Sequence, residues 1–112
     1  MSDCIFCGIV AGKIPATVVR STEHVIAFRD LNPQAPTHVL VVPRAHHENV
    51  AALAVEDPQA LAQLVAVADS IAAAEAEGQW RLVFNTGATA GQSVFHVHGH
   101  VLGGRSMTWP PG

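Results

Sequence analysis

The chain has 112 residues, 49% of them hydrophobic and only 13% charged, with a formal net charge of -3. That length holds one hydrophobic core, so residues 1–112 are expected to form a single domain. The acidic balance excludes the basic footprint of a nucleic-acid binder, and no apolar run approaches bilayer length, so neither nucleic acid nor membrane is an expected partner. With no basic and greasy leader, the expected location is the cytoplasm.

Taken in chain order, "SDCIFCGIVAGKIP" predicts a short N-terminal helix: Asp3 can cap it, Ile5, Phe6, Ile9 and Val10 are apolar, and Gly12 with Pro15 ends it. Cys4 and Cys7 would share a face. "TVVR" and "HVIAFRD" read as two short strands about "STE", "LNPQAPT" as a proline-bearing loop, and "HVLVVP" as a buried strand. "RAHHENVAAL" reads as a short helix. "EDPQALAQLVAVADSIAAAEAEG" is the one long helix, with Asp57 at the cap, Pro58 in the first turn and Gly78 just past the end. Leu61, Leu64, Val65, Ala68, Ile71 and Ala72 recur at threes and fours as its buried stripe. Its many alanines permit close approach to a sheet or to a second copy of the helix. "WRLVFN" and "SVFHVHGHVL" are the last strands, joined by "TGATAGQ". The expected class is α+β: two layers, an antiparallel sheet of about five strands, one long helix and a short N-terminal helix.

Three histidines alternate in "SVFHVHGHV". In an extended strand His96, His98 and His100 share one face, while Phe95, Val97 and Val101 take the other. A solvent-facing strand or a metal-scavenging tract would also carry such a row, but the flanking apolar β-formers argue against both. The preceding loop "NTGATAGQS" reads as a phosphate cradle: Gly87 and Gly91 free backbone N–H groups to turn inward, and Asn85, Gln92 and Ser93 offer donors. The same residues suit an ordinary hairpin, and adjacency to His98 decides for the cradle. Beside a bound phosphate, a neutral His98 can attack phosphorus as nucleophile. His100 can donate to a non-bridging oxygen and Ser93 can pass a proton to the leaving atom. His38 either fixes the tautomers of the row or merely caps its strand.

Cys4 and Cys7, with His46 and His96, have the donors of a closed tetrahedral zinc site, whose role would be structural; a redox pair and two metal-free buried thiols are the alternatives. Asp30 beside Phe28 and Leu31 would suit a nucleoside, the base against the apolar residues and the ribose on the acid, unless this is only a core Phe with a turn-forming Asp. His24 and His47 are expected to face solvent without a role.

"CIFCGIVAGKIP", "AFRDLNPQAPTHVLVVPRAH", "VFNTGATAGQSVFHVHGHVLGGR" and "WPPG" together resemble the histidine triad (HIT) superfamily, most closely its Hint branch of purine nucleoside phosphoramidate hydrolases. Residues 96–102 match the His-φ-His-φ-His-φ-φ pattern (φ apolar) except at Gly99, where a larger apolar residue is usual, which implies looser packing behind the strand. The resemblance implies His98 as the nucleophile, His96 and His100 as its flanking triad members and His38 as a supporting histidine. It also implies Asn85, Gly91, Gln92 and Ser93 around the α-phosphate, Ile5, Phe6, Ile9, Phe28, Asp30 and Leu31 around the nucleoside, and Cys4, Cys7, His46 and His96 as the zinc set of prokaryotic members that retain it. His100 separates the chain from the galactose-1-phosphate uridylyltransferase branch, which has Gln there. A homodimer is implied, with the tail carrying Trp109 near the partner's site, although composition alone reads that tail as disordered.

Two functions follow from the whole: hydrolysis of purine nucleoside phosphoramidates without a catalytic metal, or an AMP-binding or partner-binding module with slow turnover. A third reading makes His96, His98 and His100 ligands of a catalytic metal.

Overall fold

At the centre of the sheet lies β3 (Thr37–Pro43), buried at every residue. Its run of Val and Leu suits a strand covered on both faces. On one side it pairs antiparallel with β2 (Val25–Arg29), Val25 opposite Pro43 and Arg29 opposite Val39. On the other it pairs with β5 (Gly99–Gly103), Thr37 opposite Gly103 and Val41 opposite Gly99. The edges are β1 (Val18–Ser21) and β4 (Trp80–Val83), giving the all-antiparallel order β1-β2-β3-β5-β4. Helices α1 (Ile5–Val10), α2 (Val50–Glu56) and α3 (Pro58–Glu75) complete the α+β arrangement that the sequence predicts. These elements come from a computed structural model that describes residues 4–112; the capping role expected of Asp3 lies outside the described residues.

Side-chain alternation along the strands sorts the core into two clusters. On one face Val25, Ala27, Val39, Val41 and Val101 meet Leu53 of α2 and Leu64, Ala68, Ile71 and Ala72 of α3. On the other, Ile26, Phe28, Leu40 and Val42 meet Phe6 of α1. The carboxylate of Asp57 accepts from the N–H of Ala60 at 3.1 Å to start α3, as expected, with Pro58 in the first turn. Val65 does not belong to the buried stripe: it is 41% exposed, and Ala60 is buried instead. The contact line runs through 60, 64, 68 and 71–72, and Val65, rotated by about 100° from Leu64, falls off it.

The segment "RAHH" is not helical. Helix α2 begins only at Val50, where Asn49 accepts from the N–H of Ala52 at 2.9 Å. The His47 carbonyl instead accepts from the N–H of Val97 at 2.7 Å, so residues ahead of α2 bond across to the histidine segment. Nor is His47 a solvent-facing bystander: its side chain is 12% exposed and its Nδ1 lies 2.7 Å from Glu56.

Strand β5 is shorter than "SVFHVHGHVL", because the ladder forms only from Gly99 onward. Continuing the register would set Val97 opposite Pro43, which has no N–H to give. Val97 still enters the core with Val101, but Phe95, expected beside them, is 47% exposed. His96 and His98 therefore precede the strand rather than lie within it.

Packing behind Gly99 is not loose. A Cβ there would stand 2.9 Å from Leu82 Cδ1 and 3.1 Å from Phe84 Cζ, so these two side chains already occupy the space that a larger residue would take. Gly99→Leu is expected to destabilise the fold by about 1–3 kcal/mol through overpacking, and Phe84→Val in the same chain to restore part of the loss, as read by urea unfolding.

Candidate active site and metal centre

The protons of the histidine cluster follow from partners that can act in only one sense. The N–H of Gln34 donates to His38 Nδ1 at 3.0 Å, so neutral His38 carries its proton on Nε2. That Nε2 stands 2.9 Å from His100 Nδ1 and 3.4 Å from Asp30 Oδ2. Nε2–H of His38 therefore donates to His100, whose own proton must sit on Nε2. Next to it, His98 Nδ1 lies 2.9 Å from the carbonyl oxygen of His96, which can only accept. Neutral His98 thus has its proton on Nδ1 and a bare lone pair on Nε2. The rings of His98 and His100 are 5.0 Å apart between centroids.

Burial disfavours the charged form of His38, His96 and His100. His100 is pushed down to about 4, first by desolvation and then by His98 and His38, with Asp30 opposing. His38 is lowered by burial against the pull of Asp30. His96, fully buried, is lowered by desolvation, with its bond to Pro43 opposing.

Phe6 connects the row to a slot of about 210 Å³, its ring edge-on to His98 at 4.9 Å between centroids. All six residues expected around a nucleoside line this slot: Ile5, Phe6, Ile9, Phe28, Asp30 and Leu31, with Leu31 fully exposed at the rim. Ile14, Pro15, Ala16, Arg29 and Leu40 also line it and escaped the sequence reading. Leu40 was detectable in principle, since it pairs with His100 across β3 and β5 and so shares its face. Arg29 is held by a two-pronged ion pair with Glu75 at 2.7 and 2.6 Å. Asp30 also accepts from the N–H of Asn32 at 2.7 Å, so its carboxylate both closes a turn and faces His38.

The glycine-bearing loop carries positive φ at Gly87 and Gly91, but the N–H groups expected to be freed for a phosphate close the loop on itself: Gly91 donates to the Ala88 carbonyl and Gln92 to the Gly87 carbonyl, both at 3.0 Å. Gln92 is buried, and its side chain is taken up within the protein: Oε1 accepts from the N–H of Gly87 at 2.9 Å, while Nε2 donates to the carbonyls of Glu48 and Val94 at 2.7 and 3.1 Å. Its amide shapes the loop instead of pointing a donor at a ligand. Asn85 stays close by, its Nδ2 3.5 Å from where a Cβ on Gly91 would stand, and Ser93 is exposed at the loop's end.

His96 does not line up with His98 and His100. Its Nε2–H donates to the Pro43 carbonyl at 2.8 Å, which leaves Nδ1 bare and facing Cys4 Sγ at 3.4 Å and Cys7 Sγ at 3.5 Å. His46 Nδ1 lies 3.3 Å from Cys7 Sγ. These four donor atoms are all within 4.8 Å of one another. Tetrahedral zinc with ordinary Zn–S and Zn–N bonds sets neighbouring S and N atoms roughly 3.5 Å apart, so the set fits zinc with no position left for water. The carbonyl on Nε2 is the outer partner that orients a metal-binding imidazole. A catalytic metal held by the three alternating histidines is excluded by this geometry, since the bare nitrogen of His96 belongs to the cysteines.

Fold and site thus define an α+β protein with a tautomer-locked histidine cluster, an apolar slot and a four-donor zinc site. The HIT domain model matches residues 11–107, and the chain belongs to the HIT family. It is 46% identical to an uncharacterized HIT-like protein of Synechocystis over 98% of this chain and 97% of that one. It is 45% identical to a 14 kDa zinc-binding protein of Zea mays, covering 99% of this chain and 89% of the relative. The crystal structure of a HIT family hydrolase from Legionella pneumophila superposes with a TM-score of 0.93 at 46% identity, covering 98% of this chain and 100% of that one. The chain is hydrolase-like in family and fold.

Purified protein is expected to carry about one zinc per chain by elemental analysis, lost in Cys7→Ser. A second expectation concerns pH. Because the folded state holds His100 near 4 while an unfolded histidine titrates at the ordinary 6.5, the unfolded chain binds a proton first as pH falls. The stability that neutral His100 contributes is complete above about pH 6.5 and is lost as pH drops through about 4. Urea unfolding between pH 7 and 4 should show this decline, and His100→Gln should make it shallower.

Proposed function

We propose that residues 1–112 act as one HIT domain of the Hint-like type, hydrolysing purine nucleoside 5'-phosphoramidates in the cytoplasm as a homodimer. The observation that carries the reading is the bond from His98 Nδ1–H to the His96 carbonyl, which leaves a bare lone pair on Nε2 of His98, away from the cysteines that Nδ1 of His96 faces. The nucleoside lies in the slot, its base against Phe6, Ile9 and Phe28 and its ribose at Asp30. The phosphate rests at the end of the loop from Asn85 to Ser93, with the Asn85 amide and the Ser93 hydroxyl as its donors, since the N–H groups of Gly87, Gly91 and Gln92 are spent within the loop. His98 Nε2 attacks phosphorus, the bond from phosphorus to the amine breaks, and the departing nitrogen takes up a proton through Ser93. Nε2–H of His100 donates to a non-bridging oxygen that gains charge, and His38 holds that proton in position. Water then cleaves the nucleotidyl-imidazole, releasing the nucleoside monophosphate and the free ring.

Zinc at Cys4, Cys7, His46 and His96 serves structure here: it fastens α1, which carries Phe6 of the slot, to the segment that carries His98. The tail with Trp109 belongs near the partner's site in this reading. Trp109 is 82% exposed, and the tail is tethered where Arg81 donates to the Thr108 carbonyl at 3.1 Å. Large exposed apolar groups of this kind commonly find a partner surface. A nucleotide-binding module with incidental turnover is the competing function, and the slot by itself would serve it equally.

The test is steady-state hydrolysis of an adenosine 5'-phosphoramidate by wild type and His98→Ala at equal folded concentration. The expected loss is about 10⁴-fold or more in kcat with AMP binding retained. Equal, slow rates in both proteins would favour the binding module. Activity that vanished on chelation while the fold persisted would count against His98 as nucleophile.

A further inference from the structure

Beside the metal cluster opens a cleft of about 450 Å³, larger than the slot of about 210 Å³ that the nucleoside would fill. Ile5 borders both cavities, so one side chain separates them. Ser93, at the end of the loop, borders the cleft as well. A substrate with its nucleoside in the slot and its phosphorus at the loop therefore has its remaining substituent on the Ser93 side. In-line displacement requires the leaving atom to face away from the attacking ring, which sends that substituent outward past Ser93.

We propose, resting on the phosphoramidate reading above, that this cleft receives the leaving amine and selects amines that carry a second positive charge on an apolar stem. Its walls supply both halves of that chemistry. Val94 and the half-exposed ring of Phe95 form an apolar side against which an alkyl stem packs and near which a cation is favoured. Glu48 supplies a carboxylate, and no Lys or Arg lines the cleft. Among the described residues the Glu48 carboxylate, like that of Glu77, has no ion-pair partner, whereas Glu75 is paired with Arg29 and Glu23 and Glu56 each lie against a histidine. Its backbone is nonetheless fixed to the loop, because its carbonyl accepts from Gln92 Nε2 at 2.7 Å. That contact is to the main chain, so replacing the Glu48 side chain leaves the clasp intact.

The experiment compares adenosine 5'-phosphoramidates of cadaverine and of hexylamine, two amines of matched length that differ in a terminal ammonium against a methyl group. Wild type, with its zinc in place, is expected to favour the cadaverine conjugate in kcat/KM by about threefold to fivefold at low salt, the range of an exposed ion pair, and by less as salt rises. Glu48→Gln should bring the ratio to about one, and Glu48→Lys should invert it. Equal rates with the two conjugates in wild type, or an undiminished preference in both Glu48 variants, overturns the subsite and leaves the phosphoramidate reading standing. If wild type turns over neither conjugate faster than His98→Ala does, the reading beneath falls, and the subsite falls with it.

Discussion

His96 is the side chain on which the site depends. It is fully buried, so each polar atom of its ring needs a partner, and each has one. Nε2–H is bound by the Pro43 carbonyl at the end of β3, and Nδ1 faces the two cysteines that begin α1. Its backbone carbonyl takes the Nδ1 proton of His98. One residue thereby ties the central strand, the N-terminal helix and the reactive ring into a single geometry. A change at His96 would orphan the Pro43 carbonyl, break the metal set and release the tautomer of its neighbour together.

The other histidines divide their work through the pairing of β3 with β5. Leu40 pairs with His100 and His38 with Leu102, which brings His38 and His100 to adjoining places on one face. A short chain of bonds then runs from the Gln34 N–H through His38 to His100: His38 accepts at Nδ1 and donates at Nε2, and His100 accepts at Nδ1. Burial supports the chain, because a charged ring could not accept at Nδ1 and burial disfavours the charged form. The same desolvation that costs stability in acid keeps the donors and acceptors correctly arranged near neutrality.

Much of this was legible beforehand, for reasons that differ residue by residue. The C-x-x-C pair with His46 and His96 offered the donors of a zinc site beside a redox pair or two buried thiols, and the approach of the two imidazoles to the thiols favours the metal. The slot residues were recoverable through resemblance, and the sheet has the five antiparallel strands expected. Where the reading failed, a long-range partner had intervened. Strand pairing stops short of Val97 because Pro43 lies opposite, and "RAHH" stays out of the helix because the His47 carbonyl bonds to Val97. Gly99 looked like a gap in the motif, yet Phe84 and Leu82, distant in the pattern and adjacent in space, fill it. Gln92 looked like a phosphate donor, and its amide is committed to three backbone groups.

The sequence by itself determined the class of fold, the Asp57 cap of the long helix, the donor types of the metal site and the identity of the histidine row, because periodicity, capping and ligand chemistry are local properties of the chain. Only the tertiary structure decided which nitrogen of each ring carries the proton, that His96 turns to the cysteines while His98 and His100 remain together, and which side chains close the space behind Gly99. Those outcomes depend on a carbonyl or an N–H supplied from elsewhere in the fold, and alternation along a strand carries no record of where such a group will stand.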